Sequence, residues 1–269
     1  LSIVMIYRST RVLSFAQGAV ASLATYVYFQ TQTLWGWTPL IALPLALGAA
    51  ALIGVGGELA VVRPLRRADT LTRTVATLGL VLVLQVIMRV VWGGDESFVR
   101  PLIAGNISIG GFTIGYQLII IAIVAIAAAA GLGAWTKSSY RGLGLSAMAE
   151  GRDAARLLGV NPNQAALITW AIAAVLAALA GILYTPLLVL NPWQMTLIMV
   201  TGLGAALLGG FMSLPLALVG GVLIGMVQSI ATGYINVSGL SETFGFIIVF
   251  AVLLMARRRG SLVSGGAEA

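Results

Sequence analysis

The 269-residue sequence contains no cysteine and no histidine. The first absence excludes disulfides and thiol chemistry. The second removes the commonest acid–base group and metal ligand. Acidic residues number only eight, and none form a cluster with metal-ligand spacing. Charged residues make up 9% of the chain, against about 25% in an ordinary soluble domain. The residue types that enzymes need are therefore missing, and an enzyme is disfavoured on chemistry alone. Lysine occurs once, as Lys137 in "AWTKSS", without the preceding glycine of a phosphate-cradling loop. Any work driven by ATP therefore belongs to another chain.

Apolar residues fill the space left by charge. They account for 59% of the chain, or about 71% with its 33 glycines, against about 45–50% in a soluble domain. A soluble core does not need so much apolar surface. A protein whose outside faces lipid does. The composition predicts an all-α fold: a polytopic transmembrane helical bundle, forming a single membrane domain over 1–269.

Runs of about 20 apolar residues suit a spanning helix. They occur near 12–30, 38–62, 74–92, 114–135, 163–188, 195–211, 214–234 and 242–256, giving about eight spans. Residues 1–7 are too few to span and read as the remainder of a truncated first helix. Alternating the spans across the bilayer places thirteen of the fifteen basic residues on one side. Such asymmetry marks the cytoplasmic face. The +7 net charge is thus explained by membrane topology and not by nucleic acid. The expected location is the plasma (inner) membrane, multi-pass, with a cytoplasmic C-terminus. Residues 93–113 form the longest outer loop, with the Gly, Pro and Asn content of turns or a short hairpin.

One charged island interrupts the apolar sequence at "AEGRDAARLLGVNPNQ", residues 149–164, within a cytoplasmic segment 136–162. Gly142 and Gly144 are expected to loosen the chain, with short helices over 145–150 and 153–158. Asp153 suits the N-cap of the second and Gly159 its stop. Asn161-Pro162 then caps and opens a fresh spanning helix. The island reads either as a solvated loop that orients helices or as a helical elbow on which another protein docks. The small residues Ala149, Ala154 and Ala155 would let a partner approach.

Within the spans, polar residues need partners. Ser14, Gln17, Gly18, Thr77 and Gln85 are candidates for pathway lining or hinging, weighed against plain hydrogen bonding between helices. Thr169, Thr201 and Gln228 are further such polar residues, and Arg89 can snorkel to the outer interface. Ala205 with Gly209, and Gly221 with Gly225, have the small-x-x-x-small spacing of close helix packing.

"AARLLGVNPNQAALITWAIAAVLAALAGILY" resembles the cytoplasmic coupling segment and following helix of ABC-importer permeases, most of all the branched-chain amino-acid permease family. "RSTRVLSFAQGA", "VVRPLRRADTLTRTVATLGLVLVLQ" and "ALLGGFMSLPLALVGGVLIG" resemble further stretches of that family, in one order along the chain. Ser14 stands where the family usually has Asn, and Ala19 where Glu is frequent. The resemblance implies a permease subunit that carries branched-chain or related small amino acids by alternating access. It implies two cytosolic ATPase subunits, a second permease subunit of the same or a related chain, and an extracytoplasmic substrate-binding protein. ATP and magnesium would sit on the ATPases, with no cofactor on this chain. The coupling contact would comprise Glu150, Arg152, Asp153, Ala155, Arg156, Leu158 and Gly159. The competing classes are a secondary carrier and a passive channel for a small polar solute. The predicted helix centres hold no Asp, Glu or Lys, which disfavours proton coupling.

Overall fold

The computed structural model describes residues 1–103, 105–109, 112–150, 152–157 and 159–234. Side chains are described at all of these but 109, 112, 149, 150, 152–154 and 231–234. The predicted span at 242–256 and the C-terminus lie outside the described residues, as do the side chains of Glu150, Arg152, Asp153 and Leu158.

The chain is a helical membrane protein. Among the described residues, four helices are long and apolar enough to cross a bilayer. They are α3 (Pro39–Gly57) with the π-helical turn that extends it to Val62, α4 (Thr70–Trp92), α5 (Tyr116–Ser138), and α8 (Pro162–Tyr184) with a 3-10 turn to Leu187. Shorter apolar helices complete the set: α1 (Ser2–Thr10), α2 (Ala16–Phe29), α9 (Gln194–Leu208) and α10 (Leu214–Tyr234). Two helices, α6 (Tyr140–Glu150) and α7 (Arg152–Leu157), lie between α5 and α8.

One feature departs from the sequence reading. The run 12–30 is not helical from its start. Arg11 adopts a left-handed conformation, φ 55°, and α2 begins only at Ala16. Its opening amide finds a partner on another helix, because Phe15 N–H donates to Thr77 Oγ1 of α4 at 3.1 Å. The 93–113 loop, where the sequence suggested turns or a short hairpin, holds a small antiparallel ribbon in an otherwise helical fold: β1 (Asn106–Ile109) with β2 (Phe112–Gly115), registered Asn106 to Gly115. Ile107, Ile109, Thr113 and Ile114 supply the β-branched residues that favour such pairing. The bonds Ser97 N–H to Leu190 O (3.1 Å) and Leu190 N–H to Ser97 O (2.9 Å) tie this loop to the α8–α9 connection.

Helix α8 is the packing centre. Its apolar stretch is 56% buried, against 28% for α3 and α4 and none for α5. One face presents Ala166, Thr169, Trp170, Ala173, Ala174, Ala177, Ala178 and Gly181, all buried. Small side chains let backbones approach closely, which is how helices associate where lipid removes the hydrophobic drive. A Cβ on Gly54 of α3 would lie 2.6 Å from both Ala174 Cβ and Trp170 O. On Gly181, one would lie 2.9 Å from Ala21 O of α2.

The α9–α10 seam follows the same logic with a shifted register. Ala205 is buried, and a Cβ on Gly209 would lie 2.8 Å from Ala217 N and Ser213 O. A Cβ on Gly221 would stand at an ordinary 3.6 Å from Ala205 Cβ, while one on Gly225 would meet nothing within 4 Å. The close approach of α10 to α9 is instead at Gly220, where a Cβ would lie 2.9 Å from Leu208 Cβ and 3.0 Å from Ala205 O. The spacing of Gly221 and Gly225 suggested a closer seam than the chain itself makes there.

Candidate functional site: a helical elbow and an internal cavity

The elbow is built by tight reversals. At the end of α5, Ser139 N–H donates to Trp135 O at 3.1 Å, and Ser139 Oγ accepts the Gly142 amide at 2.9 Å. A Cβ on Gly142 would lie 2.1 Å from Trp135 O. Gly142 and Gly144 therefore lie inside α6 and do not loosen the chain. Gly142 lets α6 fold back against α5, and Gly144 faces Val160, whose Cγ atoms would stand 3.3 Å from a Cβ there.

α7 begins at Arg152, so Asp153 occupies its first turn and is not its cap. The helix ends at a left-handed Gly159, φ 78°. Gly159 N–H donates to Arg156 O and Val160 N–H to Ala155 O, both at 3.0 Å. These paired bonds form a Schellman stop, which glycine satisfies without steric cost. Asn161 then caps α8, with Oδ1 accepting the Asn163 amide at 3.0 Å and Pro162 in the first turn.

The exposure pattern corrects one expectation. Ala155 is fully buried and faces the chain's own interior, so its side chain is closed to a partner. Among the described side chains of α7, Arg156 and Leu157 are the exposed ones. Leu157, which the sequence reading did not name, is 90% exposed.

The elbow shares its end of the molecule with other basic segments. Arg66, in the 3-10 turn Pro64–Arg67, donates to Asn163 Oδ1 at the start of α8 and to the buried Glu58 carboxylate. Arg8 of α1 reaches Ser146 Oγ of α6 at 3.4 Å. The loop after α3, the end of α1 and the elbow thus converge.

A cavity of about 710 Å³ lies among α1, α2, α5, α8, α9 and α10. Most of its wall is aliphatic, and its polar positions include Gln17, Tyr184, Gln194, Thr201 and Gln228. Of the five pathway or hinge candidates, Gln17 and Gly18 line it, and so do Thr201 and Gln228 from the further polar residues. Gly18 seats α2 on α9, since a Cβ there would lie 2.8 Å from Met195 O and Thr196 Cα. Ser14, Thr77 and Gln85 are buried away from the cavity lining. The Thr77 hydroxyl is committed to Thr74 O (2.7 Å) and to the Phe15 amide. Gln85 Nε2 donates to Thr196 Oγ1 of α9 at 3.2 Å. These two residues fasten α4 to its neighbours. Gln194 was missed from sequence because it follows Asn191-Pro192-Trp193, which reads as loop.

A helical membrane protein with a small-residue core helix, an exposed helical elbow and a neutral internal cavity has the parts of a solute permease. The chain belongs to the family described as "Branched-chain amino acid transport system / permease component", which matches residues 1–256. It is similar to the high-affinity branched-chain amino acid transport system permease protein BraD of Pseudomonas aeruginosa. The identity is 29%, over 93% of this chain and 85% of that protein. It is 27% identical to the high-affinity permease LivH of Escherichia coli, over 93% and 84% of the two chains. A probable branched-chain amino acid permease LivH of Methanocaldococcus jannaschii is also 27% identical, over 95% and 85%. No solved structure matches the chain.

Proposed function

We propose that this chain forms the membrane path of an ATP-driven importer for branched-chain or related small amino acids. Residues 1–269 make one permease domain of about eight spans, with 136–162 as its coupling elbow. Two cytosolic ATPase subunits, carrying ATP and magnesium, dock on the elbow. A second permease subunit completes the path, and an extracytoplasmic binding protein delivers the solute. Alternating access moves the solute through the cavity. The subunit lies in the plasma (inner) membrane with the elbow and the C-terminus in the cytoplasm. The convergence of Arg8, Arg66 and the elbow at one end of the molecule supports that orientation.

The carrying observation is Leu157. A leucine 90% exposed on a six-residue helix, beside an exposed Arg156 and outside the long apolar spans, is an unpartnered contact. Because α8 starts five residues further on, at Pro162, a push on the elbow arrives at the packing centre of the fold.

Co-purification from native membranes in mild detergent, with an ATPase assay, tests the reading. The wild-type chain brings down ATPase subunits, and an Arg156→Glu, Gly159→Leu double variant that inserts equally well loses them. A chain that transports without ever carrying an ATPase would overturn the importer reading in favour of a carrier or channel.

A further inference from the structure

Arg66 is held at two places of unequal strength. The chain leaves α3 through the π-helical turn Glu58–Val62 and passes into the 3-10 turn Pro64–Arg67. This path returns the Arg66 guanidinium onto the Glu58 carboxylate, eight positions back. Glu58 is fully buried. That arm is therefore an ion pair shielded from water, and breaking it would strand a buried charge. The other arm reaches Asn163 Oδ1, at the exposed start of α8. Its acceptor is neutral and water competes for it, so it is the weaker arm. Arg66 thus belongs to α3 and grips α8 by one amide. That amide follows directly on Asn161 and Pro162, where the elbow ends.

We propose that Arg66 is a positioning residue for transport, bracing the start of α8 on α3 so that a movement of the elbow reaches the cavity wall. This rests on the permease reading above. The two helices also meet deeper in the membrane, where Gly54 of α3 lies against Trp170 and Ala174 of α8. Trp170 stands about two helical turns beyond Asn163. The contact there is close but carries no directional bond, so it resists separation and leaves swivelling free. A second attachment, two turns away, removes that freedom. α8 supplies part of the cavity wall, including Leu176 and Ala180, whereas among the described residues none of α3 lines it. With both attachments in place, a push at Pro162 moves α8 as a braced lever. Without the Asn163 arm, the same push is spent in swivelling at Gly54, and less of it arrives at the wall.

The test uses the assembled transporter in proteoliposomes, with leucine import and ATP hydrolysis measured together. Asn163→Ala removes the weaker arm alone. The α8 cap survives, because it uses the Asn163 backbone amide, and Arg66 keeps Glu58. Import per ATP hydrolysed falls at least fivefold, while the amount of ATPase that co-purifies stays within twofold of wild type. The melting temperature moves by no more than about 2 °C, as for a surface substitution. Asn163→Asp, whose carboxylate accepts from the same guanidinium, holds the ratio within twofold of wild type. A merely stabilising contact would leave that ratio alone. Should Asn163→Ala fail to insert, Arg66→Lys reports instead, since lysine keeps a charge beside Glu58 but has no fork to reach Asn163, and it lowers the same ratio. An unchanged ratio, a ratio that Asn163→Asp does not hold, or loss of the ATPase from Asn163→Ala, which would make Asn163 a docking contact, each overturns the proposal. A wild-type chain that imports without an ATPase strikes instead at the permease reading.

Discussion

Glu58, fully buried where α3 passes into its π-helical turn, accepts a charge-assisted hydrogen bond from Arg66, which is one-fifth exposed and also holds Asn163. One guanidinium therefore joins the end of α3 to the first turn of α8. Removing one partner of a buried pair costs about 3–5 kcal/mol. Water can reach Arg66, so Arg66→Ala falls below that range, at about 2–3 kcal/mol. Thermal unfolding in detergent measures it. Arg66→Lys recovers only part, because a lysine cannot present two donors in a fork.

Gly54 and Gly56 are both glycines in α3, two residues apart, and they predict opposite outcomes. Gly54→Ala forces a methyl to within 2.6 Å of Ala174 and Trp170 and costs about 1–3 kcal/mol by overpacking. Gly56 has nothing within 4 Å. Gly56→Ala is neutral or stabilising, by up to about 1 kcal/mol, since alanine favours the helix. Paired melting curves decide this, and equal effects would refute the α3–α8 contact.

Leu157→Asp leaves the fold untouched, with stability within about 0.5 kcal/mol of wild type, as for other surface substitutions. Its effect is on partners. Recovery of ATPase with the purified chain drops at least tenfold. Ala155→Asp behaves oppositely, unfolding the elbow because its site is fully buried.

Gly159→Ala places a Cβ in a left-handed conformation, φ 78°, at a cost of about 1–2 kcal/mol. Hydrogen exchange at the Val160 amide, which donates to Ala155 O, then speeds up about 5–30-fold. Gly159→Asn has a smaller effect, since asparagine tolerates this conformation.

Much of the helical plan was legible in sequence because apolar length sets spans directly. The runs near 38–62, 74–92, 114–135 and 163–188 correspond to the four long apolar helices. The Gly159 stop and the Asn161-Pro162 start were legible because caps are local chemistry. What escaped depends on partners far along the chain. The run 12–30 is apolar from its first residue, yet α2 begins only at Ala16. Thr77 reads as a pathway residue until Phe15, 62 positions away, is found on it. Gly142 reads as slack in sequence, and the nearby Trp135 carbonyl turns it into a close contact. Gln17 and Gly18 stood among five equal candidates, and their place in the cavity lining separates them from Ser14, Thr77 and Gln85.

The small-residue face of α8 also has a history in time. α1, α2 and α3, against which it packs, emerge from the ribosome first, and roughly 100 residues separate the end of α3 from Pro162. At about 5–20 residues per second, the groove awaiting α8 stays empty for roughly 5–20 s. That groove is apolar, with Ile3, Val4, Met5 and Ile6 of α1 in the cluster that later receives Trp170, and lipid chains are apolar enough to solvate it during the wait. The largest side chain that fills it, Trp170, is delivered by the late arrival. The order of synthesis and the distribution of bulk are thus matched, and the subunit assembles around its centre last.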